Sequence, residues 1–245
     1  MKPRINPSEG MLFYIIAKIR PELAEKIKQT NTVGTMIIGL GAQGTKHAGL
    51  MSEFGTTLTA GVSPGKGGTR VQETIPVYNT VSEALENHPH IAAASIWRHY
   101  SFAKDSAVEA MEAGIPLIVL ITEFIPLKDM RDILTAARKH NTLLIGGNTP
   151  GLIFPPERIK IGMLPEIFQP QIKKSGQPGA KGVTIISRSG AILYHMADAM
   201  SSAGIAQNAV IGIGGDAALG STFKDLVPLA MEYKNTDAVV IAGEI

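Results

Sequence analysis

Residues 35–69 read TMIIGLGAQGTKHAGLMSEFGTTLTAGVSPGKGGT. Met36-Ile37-Ile38 is an apolar run long enough for a buried strand. Gly39-Leu40-Gly41-Ala42-Gln43-Gly44 follows with the spacing G-x-G-x-x-G, and a helix-compatible segment then runs to about Phe54. Glycines so spaced between a strand and a helix permit a tight turn, close approach of backbone to a pyrophosphate, and close helix–strand packing. A chain with 26 glycines produces such spacings by chance, so the context carries the reading.

The next residues decide which ligand to favour. A second strand, Thr57-Leu58-Thr59-Ala60-Gly61-Val62, ends about where an NAD site carries an Asp or Glu for the ribose hydroxyl. Here Ser63 stands in that place, followed by Pro64-Gly65-Lys66-Gly67-Gly68. A lysine on a glycine-rich loop can close on a phosphate, whereas an acid repels one. This favours a nucleotide rich in exposed phosphate, such as coenzyme A, over NAD. The same lysine is equally at home as a solvated loop cation.

Composition bounds the rest. At 245 residues the chain suits one large or two small domains, and 44% hydrophobic with 18% charged residues describes a globular protein. A net charge of +2, with no basic stretch interleaved with aromatics, gives no support to a nucleic-acid partner, and none is expected. The absence of cysteine removes disulfides and thiol nucleophiles, as expected of a cytoplasmic or organelle-matrix protein. Met11-Leu12-Phe13-Tyr14-Ile15-Ile16-Ala17 is too short to span a bilayer and lacks a small-residue cleavage site, so no membrane or signal segment is expected.

Residues 1–32 form an N-terminal extension that the first strand–helix unit does not need. Pro21 starts a short helix to about Gln29, packed on the domain or a partner. Over 33–150 strands are expected at 35–39, 57–62, 91–96, 116–122 and 142–146, with helices near 43–54, 80–88, 102–113 and 127–140. The alternation gives a doubly wound α/β sheet whose ligand lies outside the carboxyl ends of its strands. Residues 151–182 read as a connection, because six prolines fall between 150 and 178. A second alternation over 183–245 gives strands near 183–186, 209–213 and 238–242, with helices near 190–203 and 222–233.

Three places could carry chemistry. Ser187-Arg188-Ser189-Gly190 joins a strand to a helix, where free amides and hydroxyls meet the positive helix end. Such a turn binds phosphate or simply caps the helix. Glu123 and Glu244 each end an apolar strand, where a carboxylate could orient an imidazole or merely be solvated. The six histidines, His47, His88, His90, His99, His140 and His195, show no ligand spacing, and no metal site is expected.

Seven stretches occur in a telling order: Gln43-Gly44-Thr45, Val62 to Gly68, Ile121-Thr122-Glu123, Gly147-Asn148-Thr149-Pro150-Gly151, Ser187-Arg188-Ser189-Gly190, Gly212-Ile213-Gly214-Gly215-Asp216 and Gly243-Glu244-Ile245. Together they resemble the α subunit of succinyl-CoA synthetase and its relatives, the nucleoside-diphosphate-forming acid–CoA ligases and ATP-citrate lyase. The resemblance runs from about residue 33 to the last residue. It implies a Rossmann-like CoA-binding domain followed by a second, flavodoxin-like α/β domain that is cut short. It also implies a partner β-type subunit, in a hetero-oligomer, that binds ATP or GTP with Mg, and a di- or tricarboxylic acid, succinate or citrate, as substrate. The reaction it implies runs by way of a phosphohistidine, which carries the phosphoryl group, and an acyl phosphate, from which the CoA thiol captures the acyl group and releases phosphate.

On this resemblance CoA contacts fall to Gly41, Ala42, Gln43, Gly44, Lys66, Ile121, Thr122, Glu123, Asn148 and Pro150. Ser187, Ser189 and Gly190 receive the phosphate, Glu244 and Glu123 orient the phosphohistidine, and Tyr194 meets the acid. The family's Gly-His-Ala-Gly loop lies beyond residue 245, so the chain is expected to be a fragment that forms no phosphohistidine. Trp97-Arg98-His99-Tyr100-Ser101 replaces a Pro-rich loop, and Phe124 replaces a glycine. Arg98 and His99 would suit a more highly charged acid such as citrate, as in the citryl-CoA-forming relatives, or lie idle on the surface. A non-catalytic CoA-binding module and an NAD-dependent oxidoreductase are the competing functions.

Overall fold

The computed structural model describes residues 6–165 and 181–243. The apolar run near the start is a helix, α1 (Met11–Ile19), followed by α2 (Pro21–Thr30). Met11, Leu12, Phe13, Ile15 and Ile16 of α1 are all buried. A helix that is apolar almost all round belongs in a core, not at a surface. Sequence reading expected only the α2 helix in this extension.

The first sheet contains β1 (Gly34–Ile38), β2 (Leu58–Val62), β3 (Arg70–Val71), β4 (Ile75–Tyr78), β5 (Ile91–Ile96), β6 (Leu117–Leu120) and β7 (Leu143–Gly146). Helices α3 (Ala42–Phe54), α4 (Val81–Asn87), α5 (Tyr100–Glu112) and α6 (Leu127–Lys139) join them. The strand order is β3-β4-β2-β1-β5-β6-β7, parallel throughout except for β3 on β4. The chain therefore winds outward from β1 through β2 and β4, then returns to β5 and winds the other way. That reversal leaves a crevice between the carboxyl ends of β1 and β5.

Alternate residues of each strand face opposite layers. Met36, Ile38, Ala94, Ile96, Ile118 and Leu120 point into a core with α5 and α6, where Ala103, Ala107, Met111, Met130 and Ile133 are buried. Ile37, Ala93, Leu117, Val119 and Ile145 point into a second core with α1, α3 and the other sheet. Both faces are covered, which is why these strands read as unbroken apolar runs.

The second sheet holds β8 (Gly151–Phe154), β9 (Ile159–Gly162), β10 (Gly182–Ser187), β11 (Gln207–Gly212) and β12 (Thr236–Ala242), with α7 (Gly190–Ser202) and α8 (Phe223–Glu232) between the last three. Its order is β12-β10-β11-β8-β9. The three parallel strands give the 2-1-3 start of a flavodoxin-like order. Residues 151–162, expected as a connection, are instead an antiparallel hairpin added beside β11. Pro155 and Pro156 lie in its turn and break neither strand. The remainder of the expected connection, 166–180, lies outside the described residues, as does Glu244.

The two sheets and α1 share one core. Leu152, Phe154, Ile161, Ile186 and Ile211 join Leu12, Ile16 and Leu117 in a single cluster. The Thr56 hydroxyl donates to the Lys160 carbonyl at 2.9 Å and accepts the Lys160 amide at 2.8 Å, tying β9 to the loop before β2. Glu157 Oε1 accepts the Leu12 amide at 3.0 Å, which satisfies one free donor of the first turn of α1.

Candidate functional site

The glycine turn after β1 has a distinct geometry at each position. Gly39 takes φ +98, a left-handed conformation that costs a residue with a Cβ. A Cβ on Gly44 would overlap the Gly39 carbonyl oxygen, so α3 can start this close to β1 only with glycine there. A Cβ on Gly41 would meet nothing within 4 Å. Gly41 faces open space at the start of α3, whose N-terminus has no side-chain cap. Free amides and the helix dipole there suit an anion.

The loop after β2 stands across this turn. Asn79 Oδ1 accepts the amides of Gly65 at 2.9 Å and Gly67 at 3.1 Å, shaping the loop that carries Lys66. Lys66 Nζ donates to the Leu40 carbonyl at 2.7 Å. Sequence reading singled out Lys66 but not Asn79, which lies 12 residues beyond Gly67 and is visible only through the fold.

Beside the turn lies a cavity of about 800 Å³ between the two sheets. Gln43, Arg98, His99, Ile121, Thr122 and Glu123 line it from the first sheet and its helices and loops; Asn148 and Pro150 line it from the segment between β7 and β8; Ser189 and Gly190 come from the second. The structure thus brings ten of the expected residues to one place. Lys66, Ser187 and Tyr194 are not among its lining residues.

The reasons are local. Ser187 is fully buried; its hydroxyl donates to the Ser189 carbonyl at 2.9 Å and accepts the Ser189 amide at 3.1 Å. Ser189 Oγ accepts the Ile192 amide at 3.4 Å and caps α7. The Ser189 hydroxyl is thus the helix cap, while the Ser187 hydroxyl braces the backbone of Ser189 just before the helix. Tyr194 packs beside a core of Ile153, Leu193 and Val210, and this burial raises its pKa. His99 caps α5: its Nδ1 accepts the Ser101 amide at 3.4 Å.

Segment 147–151 couples the two halves of the cavity. The Asn148 amide donates to the Thr122 carbonyl at 2.9 Å, and the Asn148 carbonyl accepts the Gly215 amide at 3.1 Å. Pro150 lies so close to Gly212 that a Cβ there would sit 2.7 Å from its ring. The Thr122 hydroxyl donates to the Arg98 carbonyl at 2.7 Å, fixing the loop after β5. Trp97, also on the lining, stacks on His47 with ring centres 4.6 Å apart. Burial, then the charges of Lys160 and Lys46, lower the His47 pKa, which keeps that ring neutral at pH 7.

Arg188 is the charged lining residue to which sequence reading gave no role. It sits in the quoted Ser-Arg-Ser-Gly turn, and a charged side chain on a strand-to-helix turn was the available signal. Among the described residues no group of three or more His, Asp or Glu could hold a metal ion. No helix among them is long and apolar enough to cross a membrane.

Fold and cavity define a two-part α/β protein with a ligand crevice at the switch point of its first sheet. Residues 30–124 match the CoA binding domain family. The chain is 41% identical over 205 residues to succinate–CoA ligase (ADP-forming) α subunit 1 of Archaeoglobus fulgidus, covering 84% of this chain and 66% of that protein. It is 40% identical over 205 residues to α subunit 2 of the same organism, covering 84% and 67%. The chain belongs to the succinate–CoA ligase α-subunit family. It spans slightly under two thirds of the length of the first of these relatives. Among solved structures, the fold matches ATP citrate lyase from Methanothrix soehngenii in complex with citrate and coenzyme A. That match has a TM-score of 0.71 at 19% identity and covers 85% of this chain and 35% of that one.

Proposed function

We propose that the chain is the CoA-binding, α-type part of a nucleoside-diphosphate-forming acid–CoA ligase. The observation that carries this is the open face at Gly41. A backbone turn with room above it, an uncapped helix start and a lysine on the facing loop fit a phosphate-bearing nucleotide. Gly41, Ala42, Gln43, Gly44 and Lys66 hold the phosphates. Ile121, Thr122, Glu123, Asn148 and Pro150 line the path from there toward α7. Bound CoA supplies the thiol that accepts the acyl group.

A nucleotide-binding β-type subunit, with ATP or GTP and Mg, completes the enzyme, and the acid is succinate or citrate. The amides at Ser189–Gly190, on the cavity wall at the start of α7, stabilise negative charge on phosphate. Glu123 lines the same cavity and could orient an imidazole there. Among the six histidines only His99 lines this cavity, and its Nδ1 is engaged at the start of α5. The 245-residue chain with its partner and labelled ATP should therefore form no acid-labile phosphate. Label on His99 would make that residue the phosphate acceptor and overturn this part of the reading. Because this chain is expected to form no phosphohistidine, CoA binding to the purified chain tests the ligase reading. Absence of saturable CoA binding contradicts it.

A further inference from the structure

Two arginines reach the inter-sheet cavity, one from each sheet. Arg98 comes from the loop after β5, with its guanidinium carbon 5.1 Å from the Phe102 ring centre. Arg188 comes from the turn after β10, and its Nη2 donates to the carbonyls of Asp216 at 3.0 Å and Gly215 at 3.4 Å. In both, Nε is shielded from solvent and has no hydrogen-bond partner among the described residues. A guanidinium stays charged at any ordinary pH and offers Nε and Nη as a fork for two oxygens. A shielded charged donor without an acceptor is costly, and an oxyanion is the chemistry that removes the cost. The acid on the same cavity wall, Glu123, is exposed and makes no ion pair with either arginine among the described residues.

We propose that Arg98 and Arg188 form one receptor for an oxyanionic group, a carboxylate of an organic acid or a phosphate, held between the two sheets. The inference rests on the ligase reading only for the identity of that group. His99, whose Nδ1 is committed to the start of α5, is not part of the receptor. Because one arginine belongs to each half, a bound oxyanion also holds the halves in register.

Calorimetric titration of the 245-residue chain at low, fixed salt with citrate, succinate, inorganic phosphate and CoA, each separately, tests this. At least one of the four should lose tenfold or more in affinity in both Arg98→Gln and Arg188→Gln. It should be unchanged in Arg131→Gln, a control whose side chain is 73% exposed on α6. Loss for citrate or succinate identifies a carboxylate; loss for phosphate or CoA identifies a phosphate. Circular dichroism checks the fold of each variant. Should Arg188→Gln disturb the turn it braces, Arg188→Lys keeps the charge without the fork and should still lose at least threefold. Equal affinity in wild type and either arginine variant for all four ligands overturns the receptor, as does failure of all four to bind. Failure to bind CoA alone, with citrate, succinate or phosphate still arginine-dependent, contradicts the ligase reading and leaves the receptor standing.

Discussion

The Lys66 ammonium donates to the Leu40 carbonyl across 2.7 Å, so the loop after β2 is latched to the glycine turn after β1. Two of its three N–H groups remain for a ligand. Lys66→Ala should weaken CoA binding by about 1–2 kcal/mol, below the upper range for charge-assisted bonds because the side chain is solvent-exposed. Calorimetry decides it, and unchanged affinity would remove Lys66 from the site.

Gly41 and Gly44 separate binding from folding. Gly44→Ala places a methyl on the Gly39 carbonyl and should destabilise the fold by roughly 1–3 kcal/mol, the scale of overpacking with backbone shift. Gly41→Ala meets no protein atom, so it should melt like wild type yet bind CoA more weakly. Thermal melts alongside CoA titrations check both. Equal melting of the two variants would contradict the assignment.

Tyr233 makes stability fall in alkali. Its hydroxyl donates to the Glu9 carbonyl at 2.8 Å, and burial, followed by the nearby Glu157 charge, pushes its pKa up to about 12. The folded pKa lies above the unfolded value near 10, so the native state holds the proton more tightly. This contribution is complete below pH ~10 and is lost as pH rises toward ~12, on the order of 2 kcal/mol in all. Urea melts of wild type and Tyr233→Phe at pH 9 and 11 should converge at the higher pH. A constant gap between them would contradict the argument.

Helix α1 is structural to both sheets. Ile16 is fully buried in the core shared by the sheets, and Ile16→Ala should cost about 2–5 kcal/mol. Deleting residues 1–20 should remove more, since five buried side chains leave together. A deletion variant melting at the wild-type temperature would show α1 to be dispensable.

The parallel strands were legible because burial on both faces leaves nearly pure apolar runs such as Leu117–Leu120. Strands β3 and β4 were not, being two and four residues long, with Pro76 inside β4 next to the edge strand β3. The β8–β9 hairpin was masked by prolines that lie before and between its strands. Helix α1 was misleading for the opposite reason, since apolar residues on every side resemble a targeting run until a second layer covers them. At the site, backbone-driven features such as Gly39 and Gly44 were visible in spacing. Side-chain direction was not: Tyr194 turns into a core, and Arg188 reaches the cavity from a turn read for its serines. Phe124 keeps φ +60 and stands 74% exposed beside the cavity, at a place where the family resemblance leads one to expect glycine.

The central claim is that the crevice at β1 and β5 takes CoA and not a dinucleotide. Ser63, buried where a ribose-binding acid would stand, and Lys66 on the turn both favour it. Parallel calorimetric titrations of the purified chain with CoA and with NADH test it most directly. Saturable one-site binding of CoA, with NADH at least tenfold weaker, is the predicted result. Tighter binding of NADH than of CoA would contradict it.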